Sequence, residues 1–283
     1  MPSEKRQRQA EGRLLRLEEQ RVVTQKVQRK RQFKTLGMIL GGIVVAAGAW
    51  AIFSADDATV DTSDTTVADG PTVTGPDAPA VDIVLPGAGA SVSGDTPCPA
   101  ADGSAERTTS FEKAPPMCID PAKSYTATLT TTEGDIVIAL DSATAPITVN
   151  NFVVLARYHF YDGVAFHRIV PGFVNQAGDP VGPEPGTGGP GYTIEDEAPA
   201  DPTTAYAPGA VAMANTGQPN SGESQFFLVI GDPNRALAGN GGYSVFGTIT
   251  EGEDVSQAIN AFGNAQDQPT KVVAITSVTI AES

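Results

Sequence analysis

Phe166-His167-Arg168-Ile169-Val170-Pro171-Gly172-Phe173-Val174-Asn175-Gln176-Ala177-Gly178-Asp179 is the stretch on which the reading of this chain turns. It sets one arginine, one glutamine and two phenylalanines among apolar, glycine-punctuated residues, a mixture suited to a binding surface built on strands. The mixture returns 34 residues further on as Met213-Ala214-Asn215, and again as Ser224-Gln225-Phe226-Phe227. β-Branched and aromatic runs recur at 166–169, 173–176, 210–214, 226–230, 245–249 and 272–280, with Gly or Pro between them. Upstream, the runs 125–129 and 136–140 flank Thr132-Glu133-Gly134-Asp135, which reads as a hairpin turn. Pro146 suits the first turn of a helix whose Val149, Phe152, Val153 and Ala156 share one face, and a second helix is predicted from about 254 to 261. Many short strands with few helices predict a mainly β closed barrel or sandwich.

The rest of the chain has a different character. Residues 1–34 hold eleven Lys or Arg and four Glu, whereas everything after Phe53 holds seven basic against 29 acidic residues. Between them, 36–53 runs 18 residues without a charge, close to the roughly 20 that cross a bilayer as a helix. The expectation is one transmembrane helix over 35–53, anchoring the chain in the cytoplasmic membrane. Arg29, Lys30, Arg31 and Lys34 before it, with Asp56 and Asp57 after it, place the tail 1–34 in the cytoplasm and the body outside. Secretion after cleavage of a signal peptide is the alternative, since Ala49-Trp50-Ala51 fits a small-x-small site. The tail reads either as a basic amphipathic helix on anionic lipid or as a solvated segment whose charges fix topology. Nucleic acid is not an expected partner, because neither interleaved aromatics nor a recognition fold accompanies the charges.

Residues 54–97 are rich in Asp, Thr, Ala, Gly and Pro and contain no Lys or Arg. Such a segment buries too little apolar surface to offset the entropy of ordering, so it is predicted to be a disordered tether. Cys98 and Cys118 are the only cysteines. They lie on the side of the membrane where disulfides persist and are expected to bond each other, pinning 98–122 as a loop extension. Two thiols without clustered histidine fall short of a zinc ligand set, so no metal is expected.

The three blocks quoted first resemble the cyclophilins, a family of peptidyl-prolyl cis-trans isomerases, and the resemblance covers 123–283. It implies an eight-stranded antiparallel barrel capped by two helices, with the active site in a groove on its outside. It implies proline-containing polypeptides as substrates, no cofactor and a monomer. Arg168 is the implied catalytic residue, donating toward the prolyl nitrogen so that the twisted, single-bonded amide is favoured. Phe173, Val174, Phe227 and Leu237 would form the slot for the proline ring, with Met213 nearby. Gln176 would hold the substrate backbone and aim Arg168, Asn215 and Ala214 would meet the peptide through the backbone, and Gln225 would line the groove. His167 and Tyr243 complete the edge. Many family members carry tryptophan where this chain has Ala236, and its only tryptophan is Trp50, so weak cyclosporin binding is expected.

Two other chemistries are weaker readings. His167, Asp179 or Asp196, and Ser224 follow the order of a serine hydrolase triad, but Ser224 lacks the glycines expected around such a nucleophile. Gly186-Thr187-Gly188-Gly189-Pro190-Gly191 lacks the Lys and Ser/Thr of a phosphate loop. It resembles instead the glycine-rich loop beside the cyclophilin groove. A noncatalytic proline-peptide binding or chaperone module is the remaining alternative.

Overall fold

Strict alternation along two seven-residue strands organises the domain. In β3 (Tyr125–Thr131) and β4 (Gly134–Leu140) every second side chain is buried, among them Leu129, Ile136 and Ile138, while the partners between them face outward. The two pair antiparallel in register from Tyr125↔Leu140 to Thr131↔Gly134, across the expected turn. The computed structural model describes residues 75–231, Leu237 and 242–283. Within them the chain continues as helix α1 (Pro146–Arg157), β5 (Val164–Ala165), β6 (Arg168–Val170), β7 (Val174–Ala177), β8 (Ala210–Met213), β9 (Phe226–Val229), β10 (Val245–Glu251), helix α2 (Glu253–Asn260) and β11 (Ala274–Glu282).

These strands form one nine-stranded antiparallel sheet in the order β5-β11-β3-β4-β10-β8-β9-β7-β6. Its two edge strands are neighbours in sequence, separated only by Phe166 and His167. The sheet therefore curls until its edges are joined by two residues of chain, and no ladder pairs β5 with β6. This corrects the expected eight-stranded closed barrel to a curled sheet of nine. It also corrects the expected continuous run 166–169: the Phe166 amide bonds the Val273 carbonyl at one edge, and the Ile169 amide bonds Asp267 beyond the other. A chain that changes edges cannot stay in one ladder.

The core lies inside this curl. Phe152 of α1 meets Tyr161, Phe226 and Phe246 at ring separations of 5.0, 5.5 and 5.2 Å, and all four are fully buried. Ile259 brings α2 into the same core. Pro146 opens α1 as the sequence predicts, but Ala145 before it has no side chain with which to cap the helix. Glu197, about fifty residues away, does so instead: it accepts from the Ile147 and Thr148 amides at 2.9 and 2.8 Å and from the Thr148 hydroxyl at 2.8 Å. Its charge also suits the positive end of the helix. Glu197→Ala should cost about 2 kcal/mol, the upper range for a lost cap; urea unfolding reads this, and a loss below about 0.5 kcal/mol would deny Glu197 that role.

The segment before the sheet differs most from expectation. Residues 75–97, assigned by composition to the tether, lie along the domain. The Val81 amide bonds Pro269, the Ala265 amide bonds Pro76, and Asn264 donates to Ala78. Strand β1 (Ala90–Val92) pairs in parallel with β2 (Thr108–Phe111), so 98–122 is more than a loop. The expected Cys98–Cys118 disulfide is present. Asn150 of α1 accepts from the Cys118 amide at 2.7 Å and donates to Pro116 at 2.9 Å, fastening this strap across the helix. No helix among the described residues is long and apolar enough to cross a membrane. The expected span 35–53, the tail 1–34 and residues 54–74 of the expected tether lie outside the described residues.

Candidate active site

The hairpin of β6 and β7 carries the first block of the sequence. Its turn, Val170-Pro171-Gly172-Phe173, closes by a 3.0 Å bond from the Phe173 amide to Val170, with Gly172 at φ 68°. Proline followed by a left-handed glycine is what such a turn requires. Asn260 at the end of α2 clamps the hairpin, accepting from the Gly172 amide at 2.7 Å and donating to Val170 at 3.0 Å and to Asn175 at 2.7 Å. Because side chains alternate, Ile169 and Asn175 are buried while Arg168 and Gln176, which stand opposite each other, are partly exposed. The next strands extend this outer face, for Gln176 pairs with Phe227 and Phe227 with Ala212.

A cleft of about 310 Å³ opens on that face, lined by Arg168, Phe173, Val174, Gln176, Ala214, Asn215, Phe227, Leu237 and Tyr243. Phe227 and Tyr243 meet edge to face at 5.2 Å, and Val174, Ala212, Phe227 and Leu237 form a buried apolar cluster separate from the core. The result is a slot with an apolar floor and with one guanidinium residue and two amide residues, Gln176 and Asn215, in its lining. Nine of the twelve catalytic and substrate-binding residues read from sequence thus converge.

Three do not. Met213 is buried in the core inside the sheet, because it and Ala212 are consecutive in β8 and point to opposite faces. Ala212, its neighbour, joins the buried cluster of Val174, Phe227 and Leu237 instead. Gln225 sits beside the cleft, donating to Gly186 and Gly188 at 3.0 and 3.2 Å and accepting from Gln176 at 3.1 Å. His167 is turned behind the glycine-rich loop, where a Cβ on Gly186 would collide with its ring. Burial first, and Arg168 beside it, lower its pKa to about 4 against the opposing pull of Asp179, so it is neutral near pH 7.

The residue that meets Arg168 was also not foreseen. Its guanidinium bonds Asp267 at 2.9 Å, whereas Gln176, expected to aim it, bonds Gln225. Both partners of that ion pair are 41% exposed, so water screens it and it holds the guanidinium only lightly. Asp179 has a different task. Fully buried, its carboxylate accepts from the Val181, Gly182, Gly186 and Gly188 amides at 2.8–3.0 Å, folding the glycine-rich loop around itself. Burial alone would raise its pKa, but these four donors outweigh it and hold the carboxyl below its usual value. A hydrolase triad is thereby excluded: Asp179 is saturated, and the buried Ser224 hydroxyl donates to Gly178. Asp196, the other candidate acid, accepts from the Asn220 amide instead.

Comparison with known proteins agrees with this geometry. The family model for cyclophilin type peptidyl-prolyl cis-trans isomerase/CLD matches residues 126–280. Peptidyl-prolyl cis-trans isomerase B of Bacillus subtilis is 52% identical over 108 residues, covering 38% of this chain and 71% of that protein. Peptidyl-prolyl cis-trans isomerase A of Mycobacterium tuberculosis is 40% identical over 179 residues, covering 56% of this chain and 94% of that one. The crystal structure of a Cryptosporidium parvum cyclophilin type peptidyl-prolyl cis-trans isomerase superposes with a TM-score of 0.50 at 27% identity, covering 56% of this chain and 99% of that one. More than half the chain therefore carries the family's pattern, and the chain belongs to the cyclophilin-type peptidyl-prolyl cis-trans isomerases.

Proposed function

We propose that this isomerase turns X–Pro bonds in folding or exported polypeptides outside the cytoplasmic membrane, with Arg168 as the catalytic residue. The observation that carries the assignment is the half-exposed guanidinium lining the same cleft as Phe173, Val174, Phe227 and Leu237. Amide resonance opposes the rotation with a barrier near 20 kcal/mol. As the bond twists, the prolyl nitrogen becomes pyramidal and gains a lone pair. A donor fixed near that nitrogen stabilises the twisted state more than either planar isomer, which is the requirement for raising kcat. Arg168 stays charged and presents its donors in one plane. The ring would rest on Phe227, Val174 and Leu237, with Gln176 and Asn215 holding the flanking backbone. A Cryptosporidium cyclophilin type isomerase solved in the presence of the dipeptide Ala-Pro supports a proline-containing peptide as the ligand.

Asp267 would keep the guanidinium near the slot until substrate arrives. Asn tolerates the left-handed backbone that Asp267 adopts at φ 63°, so Asp267→Asn removes the charge with little strain. We expect kcat/KM to fall about threefold, the scale of an exposed ion pair. A peptide isomerisation assay with an unchanged or faster rate would mean that Arg168 is aimed by other contacts.

The location rests on the uncharged run 36–53, the basic residues before it and the disulfide beyond it. Protease added to intact cells should release the folded domain, and deleting 36–53 should move the chain out of the membrane fraction. A domain protected in intact cells and digested only after lysis would place it inside. Ala236 in place of a bulky aromatic supports weak cyclosporin binding.

A further inference from the structure

The ion pair of Arg168 with Asp267 is exposed and light, so it can orient the guanidinium only if Asp267 is itself held still. Asp267 belongs to the loop 263–269, whose ends meet in an antiparallel bridge between Gly263 and Pro269. Its φ of 63° is left-handed, a conformation that a residue other than glycine keeps only where its surroundings hold it. The Asp267 carbonyl accepts from the Ile169 amide at 3.0 Å, and a Cβ on Gly263 would collide with the Ile169 carbonyl. The loop backbone therefore lies directly on β6, one residue from Arg168.

Asn264 organises this loop from within. It is only 2% exposed, and its side-chain oxygen accepts from the Gln266 and Gln268 amides at 2.9 and 3.0 Å. Its backbone amide donates to Gln268 at 3.0 Å, and its carbonyl accepts from the Asp267 amide at 3.1 Å. The side-chain nitrogen leaves the loop and donates to the Ala78 carbonyl at 3.2 Å. Two further bonds join the same two segments: the Ala265 amide donates to Pro76 at 3.0 Å, and the Val81 amide donates to Pro269 at 2.9 Å. Residues 76–81 thus grip both arms of the loop, at 264–265 and at 269, with Asp267 between them. They lie outside residues 126–280, which carry the family's pattern.

We infer that residues 76–81 are a positioning element for the isomerase: through Asn264 they fix the loop 263–269 so that the Asp267 carboxylate meets Arg168 in the cleft. The inference rests on Arg168 being the catalytic residue. It also sets an upper bound. Cutting the grip cannot slow the reaction more than removing the Asp267 charge does, which is about threefold. The loss falls on kcat more than on KM, since the apolar floor of the slot is built by other residues, Val174, Phe227 and Leu237.

A double-mutant cycle in the full chain tests this. Asn264→Asp keeps the oxygen that serves the Gln266 and Gln268 amides but replaces the donor to Ala78 with an acceptor. Val81→Pro removes the amide that donates to Pro269 and leaves the loop sequence intact. Each should lower kcat about two- to threefold with KM changed less than about 1.5-fold, and neither should add more than about 1.3-fold in an Asp267→Asn background. The Arg168 Nε–H resonance gives a readout that needs no turnover: both variants should move it toward its position in Asp267→Asn. Unchanged kcat in both, equal losses with and without the Asp267 charge, or an Arg168 resonance that stays at its wild-type position would overturn the proposal while leaving the isomerase reading intact. Unfolding of both variants would also overturn it, giving 76–81 a purely structural role; if Asn264→Asp alone unfolds, Val81→Pro decides. If the wild type turned over no peptide, the isomerase reading would fail and the Arg168 resonance would still decide whether 76–81 place Asp267.

Discussion

Arg168→Lys should lower kcat/KM for a short X–Pro peptide by about 100-fold, close to 2.7 kcal/mol of barrier, although the positive charge is kept. Charge alone does not meet the geometric demand. The donor must sit beside the prolyl nitrogen as it becomes pyramidal, and the guanidinium holds its donors in a plane that one light ion pair to Asp267 can orient. An ammonium on a flexible stem is a point charge, more strongly hydrated and free to turn toward Asp267. The side chain is 41% exposed, so neither Arg168→Lys nor Arg168→Ala should disturb the core, and circular dichroism should overlay the wild type. Peptide Kd should change far less than kcat, because the slot formed by Phe227, Val174 and Leu237 does not depend on Arg168. Full activity in Arg168→Lys would show that any nearby cation suffices.

Asp179→Asn carries the second large effect, on stability and on the shape of the groove. The carboxylate is fully buried and accepts four backbone amides, and an amide side chain offers one acceptor oxygen where two are needed. Hydrogen bonds to a buried charge contribute more than neutral ones, and the loss should be about 3 kcal/mol in urea unfolding. The loop from Val181 to Gly188 should loosen with it, read as faster amide exchange there than in β3 and β4. The folded-state pKa of Asp179 is depressed, so its stabilisation is complete above the unfolded value of about 3.9 and is lost as pH falls through the lower folded value. The wild type should therefore lose stability at the acid end more steeply than the variant. Equal stability of the two proteins near pH 7 would mean that the loop is held by other means, chiefly Gln225.

The parts of this structure that could be read from sequence are those fixed by neighbours in the chain. The Pro171-Gly172 turn, the β3–β4 hairpin and the start of α1 at Pro146 each follow from local geometry. What escaped was set by distant partners. Nothing near Arg168 in sequence points to Asp267, 99 residues away, and nothing near Ala145 points to Glu197. Met213 is legible as well: period-2 alternation along β8 puts it inside and Ala212 on the opposite face, a distinction that the motif Met213-Ala214-Asn215 taken as one block does not carry. Residues 75–97 escaped for another reason. Composition counts side chains, and this strap is fastened largely through backbone amides and carbonyls, such as Val81 on Pro269 and Ala90 on Arg107. The edge-to-edge link at Phe166 and His167 is a property of the whole sheet and leaves no mark in its own two residues.

Whether the slot and Arg168 together speed the rotation is decided most directly by exchange NMR on a short X–Pro peptide with a catalytic amount of the protein. Unaided, cis and trans exchange over tens of seconds. Wild-type protein should produce cis–trans exchange peaks at mixing times of about a second or less, and an equal amount of Arg168→Ala should leave them at least about tenfold slower while still shifting the peptide signals. Binding by the wild type with exchange no faster than in buffer would contradict catalysis and leave a domain that only holds proline peptides.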